Sequence, residues 1–181
     1  MTSSTGPGDD AETTLSVWTY PYADGARRLE QRLSDGSAGD VVVLDGALVT
    51  WLPGRATPQV RELQGAARTR SLGVGFWGLL FGIVTAGPDL AALRGDLHAT
   101  LDSTLSGVGI GREVLSDLRR GLRPGCSAVA VICAEPVLVE IESVSTLQPR
   151  GSRPHETGPV RTTRQPLTTD QEAALRRVFS A

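Results

Sequence analysis

The sequence contains neither lysine nor asparagine, so all 18 of its basic residues are arginine. Lysine and asparagine codons are rich in A, and this absence therefore indicates a GC-rich genome rather than a chosen set of guanidinium groups. The formal net charge at pH 7 is −2, which excludes a globally basic nucleic-acid-binding protein. We expect no nucleic-acid partner.

Cysteine and histidine are nearly absent: the chain has Cys126 and Cys133, and His98 and His155. The two cysteines lie at an odd separation in one apolar run, so in a strand their side chains point to opposite faces and cannot form a disulfide. Two thiols at this spacing, without a nearby histidine, also make no metal cage. We expect buried free thiols in a reducing cytoplasm, and no metal site.

Several catalytic motifs are missing as well. The phosphate loop GxxxxGK[ST], the nucleophile elbow GxSxG and the zinc motif HExxH do not occur. Glu140 and Glu142 diverge by about 200° on a helix and cannot act as a paired acid and base. His98 and His155 are the candidates for contact with a ligand, although each is also explained as an ordinary surface residue. The sequence favours a non-enzymatic protein without a cofactor.

The most distinctive segment is an uncharged stretch over 71–88, which holds five glycines and three aromatic residues. Glycines 75, 78 and 82 would give a predicted helix one small face, with large side chains around the rest. Its 18 residues would span roughly 27 Å, just under the ~30 Å hydrocarbon core of a bilayer. Because its glycines and Pro88 weaken the hydrophobic drive, we favour a buried or interface helix over a membrane span.

A second predicted helix follows this stretch, with leucines 90, 93, 97, 101 and 105 along one side. The two helices predict a helical hairpin over 71–106. One leucine seam covers only one side of the first helix, so we expect self-association through its glycine face, or contact with a membrane surface. The predicted interface residues are Gly75, Phe76, Trp77, Gly78, Leu80, Phe81 and Gly82.

The remaining elements alternate between strands and helices. The predicted strands lie over 15–20, in hairpin arms near 46–52 and 58–64, over 127–134, and at a sheet edge over 160–165. The predicted helices run from Asp24 to Gly36, from Ile110 to Leu122, and at the end of the chain. A further helix is predicted from Pro136, with a strand as the alternative. Thr169 and Glu172 match a capping box at the start of the last helix, with Leu175, Val178 and Phe179 as its packing face.

This order of elements predicts an α+β fold: a small ferredoxin-like sheet containing a β-α-β unit, with the helical hairpin inserted. We expect four or five strands, the 127–134 strand in the centre because it is apolar on both faces, and the helices on one face of the sheet. Residues 1–13 read as a disordered acidic leader, and 14–181 as a single domain. An alternative function is a small-molecule binding module or enzyme, with Trp77, His98 or His155 beside a cleft between sheet and hairpin.

Three segments carry a resemblance to a known family: GVGFWGLLFG at 73–82, LRPGCSAVAVI at 122–132 and LTTDQEAALRRVF at 167–179. Together with the order of elements, they resemble a bacterial family described only as predicted membrane proteins of unknown function. The resemblance extends over roughly residues 15–180. It implies an uncharacterised domain with a Gly-rich apolar segment, and it supplies no catalytic residues.

Overall fold

The computed structural model describes residues 13–68, 72–86, 104–147 and 158–179. The predicted leader up to residue 12, the second hairpin helix as far as residue 103, and both histidines lie outside the described residues. The first strand begins at Thr13, one residue inside the predicted leader.

The described chain contains both short and long strands, and helices of ten residues or more. The strands are β1 (Thr13–Tyr20), β2 (Val42–Val43), β3 (Asp45–Thr50), β4 (Gln59–Glu62), β5 (Ala67–Arg68), β6 (Ser127–Ala134) and β7 (Arg161–Leu167). The helices are α1 (Gly25–Ser34), α2 (Gly73–Thr85), α3 (Arg112–Gly121), α4 (Glu135–Ser145) and α5 (Thr169–Phe179). A helical turn also covers 104–107.

The main sheet has five strands in the order β4-β3-β6-β1-β7, and all of its pairings are antiparallel. Strands β1 and β3 both pair with β6, so they run parallel to each other and α1 connects them across it. Strands β6 and β7 likewise flank β1 and are joined by α4. The predicted α+β class and the central position of β6 are confirmed, and the two interlocking β-α-β units agree with the ferredoxin-like expectation.

Helices cover both faces of the sheet, and the prediction of one covered face is wrong. Side chains of α1 and α4 pack on one face, against Trp18, Val129 and Val131. Helices α2, α3 and α5 pack on the other face, against Leu15, Val17 and Ala130. Because successive residues of a strand point to opposite faces, β1 and β6 contribute to both clusters and are buried along nearly their whole length.

Several local predictions are settled by the structure. The segment after Glu135 is helical, with a proline in its first turn, and β7 forms one edge of the sheet.

The capping box of α5 is shifted by one residue: Gln171 N donates to Thr168 Oγ1 at 3.2 Å, and Thr168 N donates to Gln171 Oε1 at 2.9 Å. Val178 is exposed rather than part of the packing face.

Candidate functional site

Helix α2 packs a continuous apolar side against the sheet. Phe76, Trp77, Leu80, Phe81, Ile83 and Val84 are each at most 3% exposed. The aromatic rings touch one another, since the ring centroids of Phe76 and Trp77 are 4.7 Å apart and those of Trp77 and Phe81 are 6.4 Å apart. This cluster fixes the rotation of the helix about its own axis.

The burial of these side chains corrects the reason given for self-association. A single leucine seam would leave some of the side chains of Phe76, Trp77, Leu80 and Phe81 exposed in a single subunit, but the subunit itself buries all four. Helices α3 and α5 supply the cover that a leucine seam alone could not. These four residues therefore lie beneath the surface of the subunit.

The opposite side of α2 is the glycine face, formed by Gly75, Gly78 and Gly82, and all three residues are exposed. A Cβ atom built on any of them would meet no heavy atom of the described residues within 4 Å. Leu79, which is half-buried, borders this face according to the helical period. The result is a flat strip on which the helix backbone is accessible.

A buried carboxylate holds the N-terminal end of α2. Asp45 is 2% exposed; its Oδ2 accepts a hydrogen bond from the Leu72 amide, and its Oδ1 accepts one from the Gly46 amide at 2.7 Å. A negative charge at a helix N-terminus interacts favourably with the helix dipole. Sequence reasoning missed this role, although Asp45 is the only charged residue in the apolar run 41–52.

An arginine holds the C-terminal end of the same helix. Arg119 of α3 donates from Nε to the Val84 carbonyl at 3.3 Å and from Nη2 to the Ile83 carbonyl at 3.2 Å. A cation at a helix C-terminus is also favoured by the dipole, and it satisfies carbonyl groups that lack an intrahelical partner. Helix α2 contains no charged residue, so both charges that fix it come from other elements.

Residues 73–78 read Gly-x-Gly-x-x-Gly, the spacing of a dinucleotide-binding turn. In such a turn the glycines precede or open the helix and the helix N-terminus faces a phosphate. Here Gly73 does open α2, but the Asp45 carboxylate already occupies the N-terminal end of the helix. The arrangement therefore does not support phosphate binding.

The predicted ligand contacts are not brought together by the described chain. His98 and His155 lie outside the described residues, and Trp77 is enclosed in the aromatic cluster. Among the described residues, no group of three histidine, cysteine or acidic side chains could hold a metal ion. Trp77 Nε1 is buried and has no hydrogen-bond partner in the described structure, a cost of about 1–3 kcal/mol to the subunit.

None of the helices that the structure describes is both long enough and apolar enough to cross a bilayer. Fold and site together define an α+β domain whose antiparallel sheet carries an uncharged, glycine-faced helix. The chain belongs to a family of proteins of unknown function, DUF1269, whose model matches residues 71–180. An uncharacterised domain family was therefore predicted correctly. Comparisons with curated proteins and with solved structures gave no significant match.

Proposed function

We propose that this chain is a non-enzymatic assembly protein, in which two copies pack through the glycine face of α2. The supporting observation is that three glycines inside the helix are exposed and that added Cβ atoms there would meet nothing within 4 Å in the part of the chain that the structure describes. Each helix-interior glycine destabilises a subunit by roughly 0.5–1 kcal/mol relative to alanine. Nothing in the described subunit requires glycine at these positions, whereas close approach of a second helix does.

The surroundings of the glycine face suit such a contact. The face carries no charge, so little desolvation opposes its burial. Asp45, Arg119 and the aromatic cluster beneath already hold α2 in place. A second copy therefore meets a preorganised surface, and association loses little additional conformational entropy. Leu79 at the border of the face provides a side chain that can insert against the partner's glycines.

The free cysteines support a cytoplasmic location for this assembly. Cys126 and Cys133 are both buried and unpaired, as is usual for proteins of a reducing compartment. Attachment to a membrane surface is the competing use of the same glycine face, and the experiment below separates the two.

Sedimentation velocity over a range of protein concentrations tests the proposal, with Gly75→Ala, Gly78→Ala and Gly82→Ala combined in one variant. Because each added methyl group meets no described atom within 4 Å, we expect the variant to unfold at a higher temperature than wild type. The expected gain in the free energy of unfolding is about 0.5–1 kcal/mol per site. We expect the same variant to associate more weakly, because the methyl groups separate the two backbones.

Ser116→Ala is the matched control, since Ser116 is an exposed position on a different helix, α3. It should leave association unchanged. A wild-type protein that is monomeric at every concentration would contradict the proposal, as would a triple variant that associates like wild type. Glycine-dependent binding to phospholipid vesicles by a monomeric protein would assign the face to lipid instead.

A further inference from the structure

The terminal helix α5 crosses one end of the sheet and reaches α2. It starts directly after the edge strand β7, and its Glu172 accepts a hydrogen bond from Thr13 Oγ1 on β1 at 2.8 Å. Further along, Leu175 is 1% exposed. Near its end, the Phe179 ring meets Phe76 of α2 edge to face, with the centroids 5.1 Å apart.

A small cleft remains beneath this helix. It is lined by Leu44, Asp45, Leu72, Ile132, Glu172, Leu175 and Arg176. Its cavity volume is about 10 Å³, which is about the room that one water molecule needs. The Asp45 carboxylate in its wall already accepts backbone hydrogen bonds. The cleft is therefore a packing gap between α5 and the sheet rather than a ligand site.

Helix α5 is held by fewer buried side chains than its neighbours. Within α5 only Leu175 is buried, whereas α3 buries Val114, Leu115 and Leu118. Its Glu172 forms an ion pair with Arg176. Because both residues lie on α5, this ion pair does not attach the helix to the rest of the protein. Elements with few buried apolar contacts open locally at a lower free energy than the whole molecule.

We propose that α5 is a releasable strap, which presses the first turns of α2 onto the sheet through the contact of Phe179 with Phe76. Gly75 directly precedes Phe76, so displacement of the strap removes one restraint on the part of α2 that begins the glycine face. The coupling between α5 and α2 does not depend on the assembly proposal. Its consequence, that strap release weakens assembly, rests on the proposed function.

The test uses the full chain labelled with 5-fluorotryptophan and the substitution Phe179→Ala. Fluorine NMR gives one signal for each of the three tryptophans, and Trp77 contacts Phe76 whereas Trp18 packs on the opposite face of the sheet. We expect the Trp77 signal to shift or broaden and the Trp18 signal to stay unchanged. Hydrogen exchange of α2 amides should become about tenfold faster while β6 stays protected.

Val178→Ala is the matched control, because Val178 precedes Phe179 and is 54% exposed; it should change neither signal. If Phe179→Ala does not fold, Thr168→Ala loosens the strap at its other end without touching α2. An unchanged Trp77 signal and unchanged α2 exchange in the folded variants would overturn the strap. Coupled changes in a protein that never associates would leave the strap intact and contradict the assembly proposal.

Discussion

Two buried carboxylates each fasten one element of the protein to another. Glu30 of α1 accepts hydrogen bonds from Arg61 Nη1 at 2.7 Å and Nη2 at 2.5 Å, and from the Gln64 amide at 2.7 Å. Asp45 does the same for the start of α2. A buried carboxylate is tolerated only when its oxygens accept several hydrogen bonds. These two charges therefore specify where α1 and α2 lie.

Cys133 on β6 makes stability depend on pH in the alkaline range. Burial, with a smaller effect of the Glu135 charge, raises the pKa of its thiol from 9.0 to about 12. The unfolded chain thus loses this proton near pH 9, whereas the folded chain keeps it until about pH 12. In that window the unfolded state binds fewer protons, so stability falls as pH rises, by up to about 1.4 kcal/mol per pH unit.

Chemical denaturation at a series of pH values measures this dependence. Cys133→Ala should lower the overall stability through the lost packing, and it should also flatten the decline between pH 9 and pH 11. Tyr20 adds to the decline from about pH 10 upward, where the tyrosine of the unfolded chain ionises, because burial raises the pKa of its hydroxyl in the folded state. A variant whose stability falls with pH as steeply as that of wild type would show that the thiol does not titrate as described.

At the scale of elements, α5 offers a matched pair of threonines. The Thr168 hydroxyl accepts from the Gln171 amide and caps the helix, whereas Thr169 is the first residue within it and is exposed. Thr168→Ala should destabilise the protein by about 1 kcal/mol, and Thr169→Ala by much less. Thermal unfolding of both variants gives the comparison. Equal losses of stability, or a larger loss for Thr169→Ala, would contradict the cap at Thr168 and favour Thr169, the capping residue that the sequence pattern predicted.

Single elements were predicted well where a local period decided them. The continuous apolar run over 127–134 marked β6 to the residue, and the apolar spacing from Ile110 to Leu122 marked α3. The capping box was misplaced because consecutive threonines, Thr168 and Thr169, each have a suitable partner three residues on, and the sequence does not show which one ends the strand. Such choices depend on where β7 stops, which its pairing with β1 sets.

At the scale of the whole molecule, the sequence could not show which segments cover each other. The apolar circumference of α2 was recognised, but its cover comes from α3 and α5, which follow much later in the chain. The same limit produced the wrong expectation of one covered sheet face. The glycine face was predicted because its period lies within one helix, whereas the Asp45 and Arg119 contacts needed the tertiary structure.

The folded unit is larger than the stretch that matches the family. Residues 71–180 contain β6 and β7, but these strands do not touch, since β1 lies between them. In this chain the central sheet is therefore completed by β1, with β3 and β4 beyond β6. The glycine face on α2 lies inside the matched stretch, and the Asp45 carboxylate that fixes it lies outside.

The assembly proposal is tested most directly by disulfide formation between two copies at the centre of the glycine face. Gly78→Cys places a thiol there, and the native Cys126 and Cys133 are at most 2% exposed. Under mild oxidation we predict a covalent dimer that forms much faster than with Ser116→Cys, an exposed position elsewhere. If the Gly78→Cys protein stays monomeric, or dimerises no faster than this control, two glycine faces do not meet and the account of α2 as an assembly surface is wrong.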